Sequence, residues 1–315
     1  MGIDEFLRKL SEPKAPVSYP VRQVAQSDRG HPVLGLDQHV QMLVRQGQPL
    51  VPPLQVVRRP GLGDKVFALA ATYQYLQENP DADVTFSGLD TDTWLSLIPW
   101  VKTGINPECN TVVNLDNTPP NGGDRVKLMG DIMGVDVDNL EFPISIPKKK
   151  LGVKKPYYVF APFAARCGPR SLPLEGTLSV LQRSPLSLAV VDAMAYNWDG
   201  LGRNVSNCTG LDIFGLIGLL SECAGVISCD TGVPWLASAM GKPCLVFFSH
   251  IDPAERTMTC NNVLAVRPPA LCAKSCGDHI GTRPECRWKD TVPKCLAHVT
   301  SEFLRFQMRE FERLT

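Results

Sequence analysis

The sequence predicts an α/β protein of two domains, each built on a doubly wound parallel sheet. Three observations predict it. Short apolar runs of strand length alternate with longer segments of helical period. The alternation occurs twice, with a basic, proline-containing stretch between the two sets. The chain has 315 residues, more than one compact core usually holds.

Residues 1–52 read as an N-terminal extension. Asp4–Leu10 and Gln38–Gln46 are its candidate helices, and prolines with Gly30, Gly35 and Gly47 interrupt the rest. The first domain is expected over 53–147. Leu54–Val57 is an apolar strand, and Gly61-Leu62-Gly63-Asp64 turns the chain into a helix over Lys65–Glu78. Val66, Leu69, Ala70, Tyr73 and Leu76 recur there at helical spacing, and Asn79-Pro80-Asp81 stops the helix. Strands follow at Asp83–Phe86 and Thr111–Leu115, with a short helix or apolar turn at Trp94–Val101 between them. A helix over Asp124–Gly134 ends on glycine.

Pro143, Pro147 and Pro156 mark the linker, and its run Lys148-Lys149-Lys150 reads as a solvated face. The second domain, 148–296, repeats the scheme. Its strands are Tyr157–Phe160, Leu186–Val191, Gly225–Cys229 and Pro243–Phe248; its helices are Leu174–Gln182, the apolar Leu211–Ala224, and Val233–Met240 before Gly241. It closes in a cysteine-rich segment, 260–295. In residues 297–315, Leu304, Met308 and Phe311 share one face of a helix that docks on a domain surface.

Lys plus Arg and Asp plus Glu number 32 each, so the net charge is zero, which argues against broad phosphate-backbone binding. No apolar run approaches the roughly 20 residues of a membrane helix. Met1–Pro20 lacks the apolar core of a signal peptide. With no export signal, the eleven cysteines read as mostly reduced thiols of a cytoplasmic protein.

Three loops could carry chemistry, and each follows an expected strand at its carboxyl end, where open α/β sheets bind ligands. Gly61-Leu62-Gly63-Asp64 lacks the third glycine of a dinucleotide fingerprint and the Gly-Lys-Ser/Thr ending of a phosphate loop. It is a glycine turn that presents an acid, and Asp64 either caps the helix or does chemistry. Ala161–Pro173 carries Arg166 and Arg170, which suit a phosphate or carboxylate, or are plain surface residues. In Ser228-Cys229-Asp230-Thr231-Gly232-Val233-Pro234-Trp235 a strand end meets a helix start, with proline in the first turn. Such a turn can bind an anion, or Asp230 or Thr231 merely caps it. In the loop Asp192–Thr209, Trp198 and Asp199 are the candidates to face a nucleobase or ribose.

The Gly-Leu-Gly-Asp turn, Arg170-Ser171-Leu172-Pro173, Val226-Ile227-Ser228-Cys229-Asp230-Thr231-Gly232, Leu236-Ala237 and Gly241-Lys242-Pro243 occur in one order. Together they resemble the heptosyltransferases, glycosyltransferase family nine, over residues 53–300. The resemblance implies the GT-B fold, two Rossmann-like domains facing across a cleft. It implies an inverting transfer from a nucleotide-sugar to an acceptor hydroxyl, with no metal required. Asp64 then matches the base, Gly61 and Gly63 the acceptor-side loop, and Arg170 the phosphate contact, with Arg166 of the same loop a further donor-side candidate. Asp230, Thr231 and Gly232 match the turn that holds the donor diphosphate. The chain departs from the family in its N-terminal extension and in Trp235, which stands where the family has histidine on the donor side.

The resemblance also implies a lipopolysaccharide or other lipid-linked glycan acceptor, with peripheral contact at the inner membrane face. Two alternatives stand beside it. The fold also serves sugar transfer to hydroxylated bases of viral DNA, and Trp235 would suit a GT-B binding protein that is catalytically silent. Cys272, Cys276, Cys286 and Cys295, with three, nine and eight intervening residues, lie in a basic, Gly- and Pro-containing segment with His279. They could hold a structural zinc or remain thiols; the paired short spacing of a zinc ribbon is absent.

Overall fold

The structure, a computed structural model, describes residues 53–58, 61–89, 92–109, 111–118, 123–148, 152–164, 170–192, 198–249, 251–267 and 299–315. The expected helices within 1–52, Arg166, and the set Cys272, Cys276, Cys286 and Cys295 lie outside the described residues.

Two parallel sheets carry the described chain. The first comprises β1 (Leu54–Val57), β2 (Val84–Ser87), β3 (Lys102–Thr103) and β4 (Thr111–Asn114), in the order β3-β2-β1-β4. The helices α1 (Leu62–Glu78) and α2 (Arg125–Met133) pack with it. The second comprises β5 (Tyr158–Ala161), β6 (Leu188–Val190), β7 (Val205–Asn207), β8 (Gly225–Cys229), β9 (Cys244–Phe247) and β10 (Val263–Val266), in the order β10-β9-β8-β5-β6-β7. Its helices are α3 (Leu174–Arg183), α4 (Ile213–Glu222), α5 (Gly232–Ala239), α6 (Ala254–Thr257) and α7 (Ser301–Leu314). All pairings are parallel. This is the expected architecture of two Rossmann-like sheets.

Each order reverses at one place. In the first sheet β1 lies between β2 and β4, and in the second β5 lies between β6 and β8. At such a switch point the crossovers leave in opposite directions, and a crevice opens beyond the carboxyl ends of the strands. The loops after β1 and β4, and after β5 and β8, therefore bound the two crevices.

The central strands were legible because both faces are buried. β5, β8 and β9 are buried at every position, and such strands read as unbroken apolar runs. The strands absent from the sequence reading, β3, β7 and β10, lie at sheet edges. β3 is two exposed residues, and β7 carries one apolar residue, because an edge strand packs on one side only. β10 is apolar but falls inside the segment read as a cysteine-rich loop. The stretch read as Trp94–Val101 is a 3-10 turn over Thr93–Leu97, followed by β3.

One buried apolar cluster runs from the first sheet through α1 and α2 to α4, α5 and one face of the second sheet. The two halves thus share a core on that side. The other face of the second sheet is covered by α3 and α7. In α7, Leu304, Met308 and Phe311 are buried. Phe311 lies against Gly225, where a Cβ would come within 3.1 Å of its ring. Its centroid is 6.0 Å from that of Tyr158. Among the described residues no helix is long and apolar enough to cross a membrane.

Replacing buried Phe311 with alanine should cost about 3–5 kcal/mol of stability. Replacing Phe306, which is exposed on the same helix, should change stability by no more than about 0.5 kcal/mol. Urea unfolding of the two variants reads the difference.

Candidate active site

The helix α1 starts one turn earlier than its apolar period suggests. Gly61, at φ 72°, is the residue before it, and Asp64 lies in its first turn. The positive φ explains the glycine: other residues rarely adopt it. A Cβ at Gly61 would also meet Asp64 Oδ2 at 2.9 Å. No side chain caps α1, so Asp64 is not the expected helix cap.

Asp64 instead faces two arginines. Arg58 Nη2 lies 2.9 Å from Asp64 Oδ2, and Arg125 Nε donates to Oδ1 at 3.2 Å. The arginine side chains are 4% and 6% exposed, and that of Asp64 is 23% exposed. Arg58 leaves the end of β1 and crosses the switch point. Its Nη1 donates to the Leu115 carbonyl at 2.9 Å and lies 3.6 Å from Asp116 Oδ1, just beyond β4. Arg125 Nη1 donates to the Thr118 carbonyl at 3.0 Å. Burial pulls the Arg125 guanidinium below its ordinary range, and the Asp64 carboxylate pulls it back up. Lys65, next on α1, turns away and pairs with Asp92 at 2.7 Å.

Sequence reasoning missed both arginines. Arg125 offered a signal, because it is the first residue of α2, where a cation opposes the helix dipole. A cation in that place implies a carboxylate elsewhere. The cap of α2 is Asp124, whose Oδ1 accepts from Val126 and Lys127. Its Oδ2 accepts from Met258 N, beyond α6 in the second half, at 3.0 Å.

The second crevice lies between β5 and β8, which Ser228 stitches together through its Oγ donating to the Ala161 carbonyl at 3.0 Å. Thr231 precedes α5 without a side-chain cap bond. Asp230 does not cap either. It is 2% exposed. Its Oδ2 accepts from Arg170 Nη1 at 3.4 Å, and its Oδ1 accepts from Trp235 Nε1 at 3.1 Å. Nearby, burial pushes the Glu255 carboxyl up; Arg256 opposes that shift, and Asp230 adds to it.

Trp235 is 2% exposed. Its ring lies 5.4 Å from that of Phe67 on α1 and 6.2 Å from that of Phe248 after β9. A Cβ on Gly63 would fall 2.7 Å from Trp235 Cδ1, and a Cβ on Gly232 would fall 2.8 Å from Leu62 Cβ. The first turns of α1 and α5 therefore touch through glycine, and the indole fills the hollow beside them. Gly63, Asp64, Arg170, Asp230, Thr231, Gly232 and Trp235 come together at this meeting of the two halves. Trp198 does not offer its ring to a ligand. It is fully buried and stacks on Phe163 with centroids 5.9 Å apart. Among the described residues no cluster of His, Cys, Asp and Glu could hold a metal ion.

No protein-family model and no curated protein matches the sequence. Solved structures match by shape. The iron-containing dodecameric glycosyltransferase TibC from enterotoxigenic E. coli H10407 aligns over 83% of this chain and 77% of its own, at 16% identity and a TM-score of 0.65. A glycosyl transferase family 9 protein from Veillonella parvula DSM 2008 aligns over 85% of this chain and all of its own, at 11% identity and 0.65. E. coli ADP-heptose lipopolysaccharide heptosyltransferase II aligns over 83% and 98%, at 10% identity and 0.56. The fold is that of these enzymes, GT-B.

Removing one partner of the buried ion cluster should be costly. Arg58→Met should lose about 3 kcal/mol, because Asp64 and Asp116 lose the buried cation that faces both of them. Lys102→Ala breaks an exposed pair with Asp83 and should lose at most about 1 kcal/mol. Chemical denaturation of both variants tests the contrast.

Proposed function

We propose that the chain is an inverting, metal-independent glycosyltransferase that moves a sugar from a nucleoside diphosphate sugar to an acceptor hydroxyl. The observation that carries this reading is the juxtaposition, at two facing switch points, of a part-exposed carboxylate with an arginine-bearing anion turn. Asp64 is the base. Each of its oxygens engages one guanidinium, which leaves lone pairs for an acceptor hydroxyl on its open side. As the acceptor oxygen bonds to the anomeric carbon, its proton passes to Asp64. The bond to the diphosphate breaks, and the electron pair leaves with it. Arg170 and the free N–H groups of Thr231, Gly232 and the first turn of α5 receive that charge in place of a metal. Arg166 is assigned to the same phosphates from its place in the loop after β5.

Heptosyltransferase II is named for ADP-heptose, so ADP-sugars are the first donors to test. The acceptor is read as a lipopolysaccharide or other lipid-linked glycan, met at the inner face of the membrane through the Lys148 run by a cytoplasmic protein. Cys272, Cys276, Cys286 and Cys295 either hold a structural zinc with no part in transfer or remain thiols.

A second reading, a GT-B protein that binds without turnover, draws on the pairing of both Asp64 oxygens and on Trp235. Asp64→Asn separates the two. In an enzyme it should lower transfer by about 10²–10⁴-fold while nucleoside diphosphate binding persists. Equal activity of the variant removes Asp64 from the base role. Failure of every nucleoside diphosphate to stabilise the wild-type protein in a thermal-shift assay sinks the enzyme reading. Brief chelator treatment should leave the transfer rate unchanged, and elemental analysis of the purified protein reads the zinc.

A further inference from the structure

Trp235 occupies the place of a donor-side residue, yet its ring is buried and its one polar atom faces Asp230. Asp230 is itself buried between two donors of different kinds, a neutral indole N–H on Oδ1 and a guanidinium N–H on Oδ2. A buried carboxylate turns to satisfy both oxygens, since an unsatisfied one is costly. With a single donor present, it would swing both oxygens toward Arg170 and form the two-bond fork that carboxylates make with guanidinium. The indole prevents this. By holding Oδ1, it leaves Asp230 a long contact with Arg170 through Oδ2, at 3.4 Å. The Arg170 side chain keeps 18% exposure.

We propose that Trp235 is a positioning residue for the donor diphosphate: it holds Asp230 to a single contact with Arg170 and so sets how the guanidinium is presented to the phosphate. The residue acts through Asp230 and does not touch the ligand. The inference rests on the nucleotide-sugar reading above.

The other half of the protein supplies part of the hollow that seats the indole. Gly63 has no Cβ to displace Trp235 Cδ1, and Phe67 closes the far side. Gly63 adjoins Asp64, so the residue that sets the donor arginine is packed against the turn that carries the base. A change at Gly63 is therefore felt at a phosphate site in the opposite domain.

The test compares binding of ADP, GDP, UDP and CDP with binding of the matching nucleosides by titration calorimetry. Trp235→Phe keeps an aromatic ring in the hollow and removes the N–H. It should weaken the nucleoside diphosphate that wild type binds by about tenfold, the low end for a hydrogen bond to a charged group. Nucleoside affinity should stay within about twofold, and Trp235→His, which restores a ring N–H, should recover most of the loss. In an Arg170→Ala background, Trp235→Phe should add less than about twofold, because the two act in series. Gly63→Ala, which pushes the indole from the front, should weaken the diphosphate in the same selective way; it serves where Trp235→Phe does not fold. Wild-type affinity in both Trp235→Phe and Gly63→Ala overturns the inference and leaves the function standing. So does an equal loss for diphosphate and nucleoside, or an undiminished effect in the Arg170→Ala background. If wild type binds no nucleoside diphosphate, function and inference fall together.

Discussion

Gly63 and Gly232 let the first turns of α1 and α5 touch, and that contact sets an electrostatic condition on everything around it. Each helix start carries the positive end of a dipole and N–H groups with no helical partner. Bringing two such ends together is unfavourable, and the shared apolar core on this side holds them there regardless. α1 carries Asp64 in its first turn, where the negative charge offsets its dipole. α5 has no acid in its first turn, and Asp230 just before it is turned aside to Arg170 and Trp235. Among the described residues, no side chain caps the positive end of α5.

The strand topology explains why two glycine turns so far apart in sequence can meet. Both lie at a switch point, after β1 in one sheet and after β8 beside β5 in the other. Crossovers that leave in opposite directions hold the loop ends apart, so each turn stands at a crevice and not under a helix. Arg58 uses this geometry directly. It reaches from the end of β1 to Leu115 and Asp116 beyond β4, across the gap that the sheet order creates.

The buried strands and the two glycine turns were legible in the sequence, because burial on both faces leaves an unbroken apolar run and a sharp turn leaves glycine. What each carboxylate does was not. Asp64 and Asp230 both sit where an acid ordinarily caps a helix, and in the structure neither does. A cap is a local interaction and can be read from spacing. Their actual partners, Arg58, Arg125, Arg170 and Trp235, are five to sixty-one residues away in the chain. The fold brings Arg125 and Arg170 near, whereas Arg58 and Trp235 are close in the chain but at no spacing that a capping rule reads. The sequence pattern likewise made Trp198 a candidate to face the ligand, whereas the structure stacks it inside on Phe163. An aromatic residue in a polar loop looks the same from the sequence in either place.

The charges of the two crevices differ in a way that follows from one residue type. In the first, Arg58 faces Asp64 and Asp116, and Arg125 faces Asp64, so each buried guanidinium has a carboxylate beside it. In the second, Arg170 faces Asp230, and the third member is an indole. Histidine at this place, as in the resembling family, can add a positive charge; tryptophan adds a donor and no charge. Residue 235 then adds no charge to the Arg170–Asp230 pair, and in the proposed function more of the attraction for a diphosphate rests on the α5 amides and on how Asp230 and Arg170 are held. A neutral donor can still satisfy the carboxylate, which a purely apolar residue cannot. Tryptophan at position 235 thus gives Asp230 a donor without adding charge, and it also fills the hollow that joins the two halves.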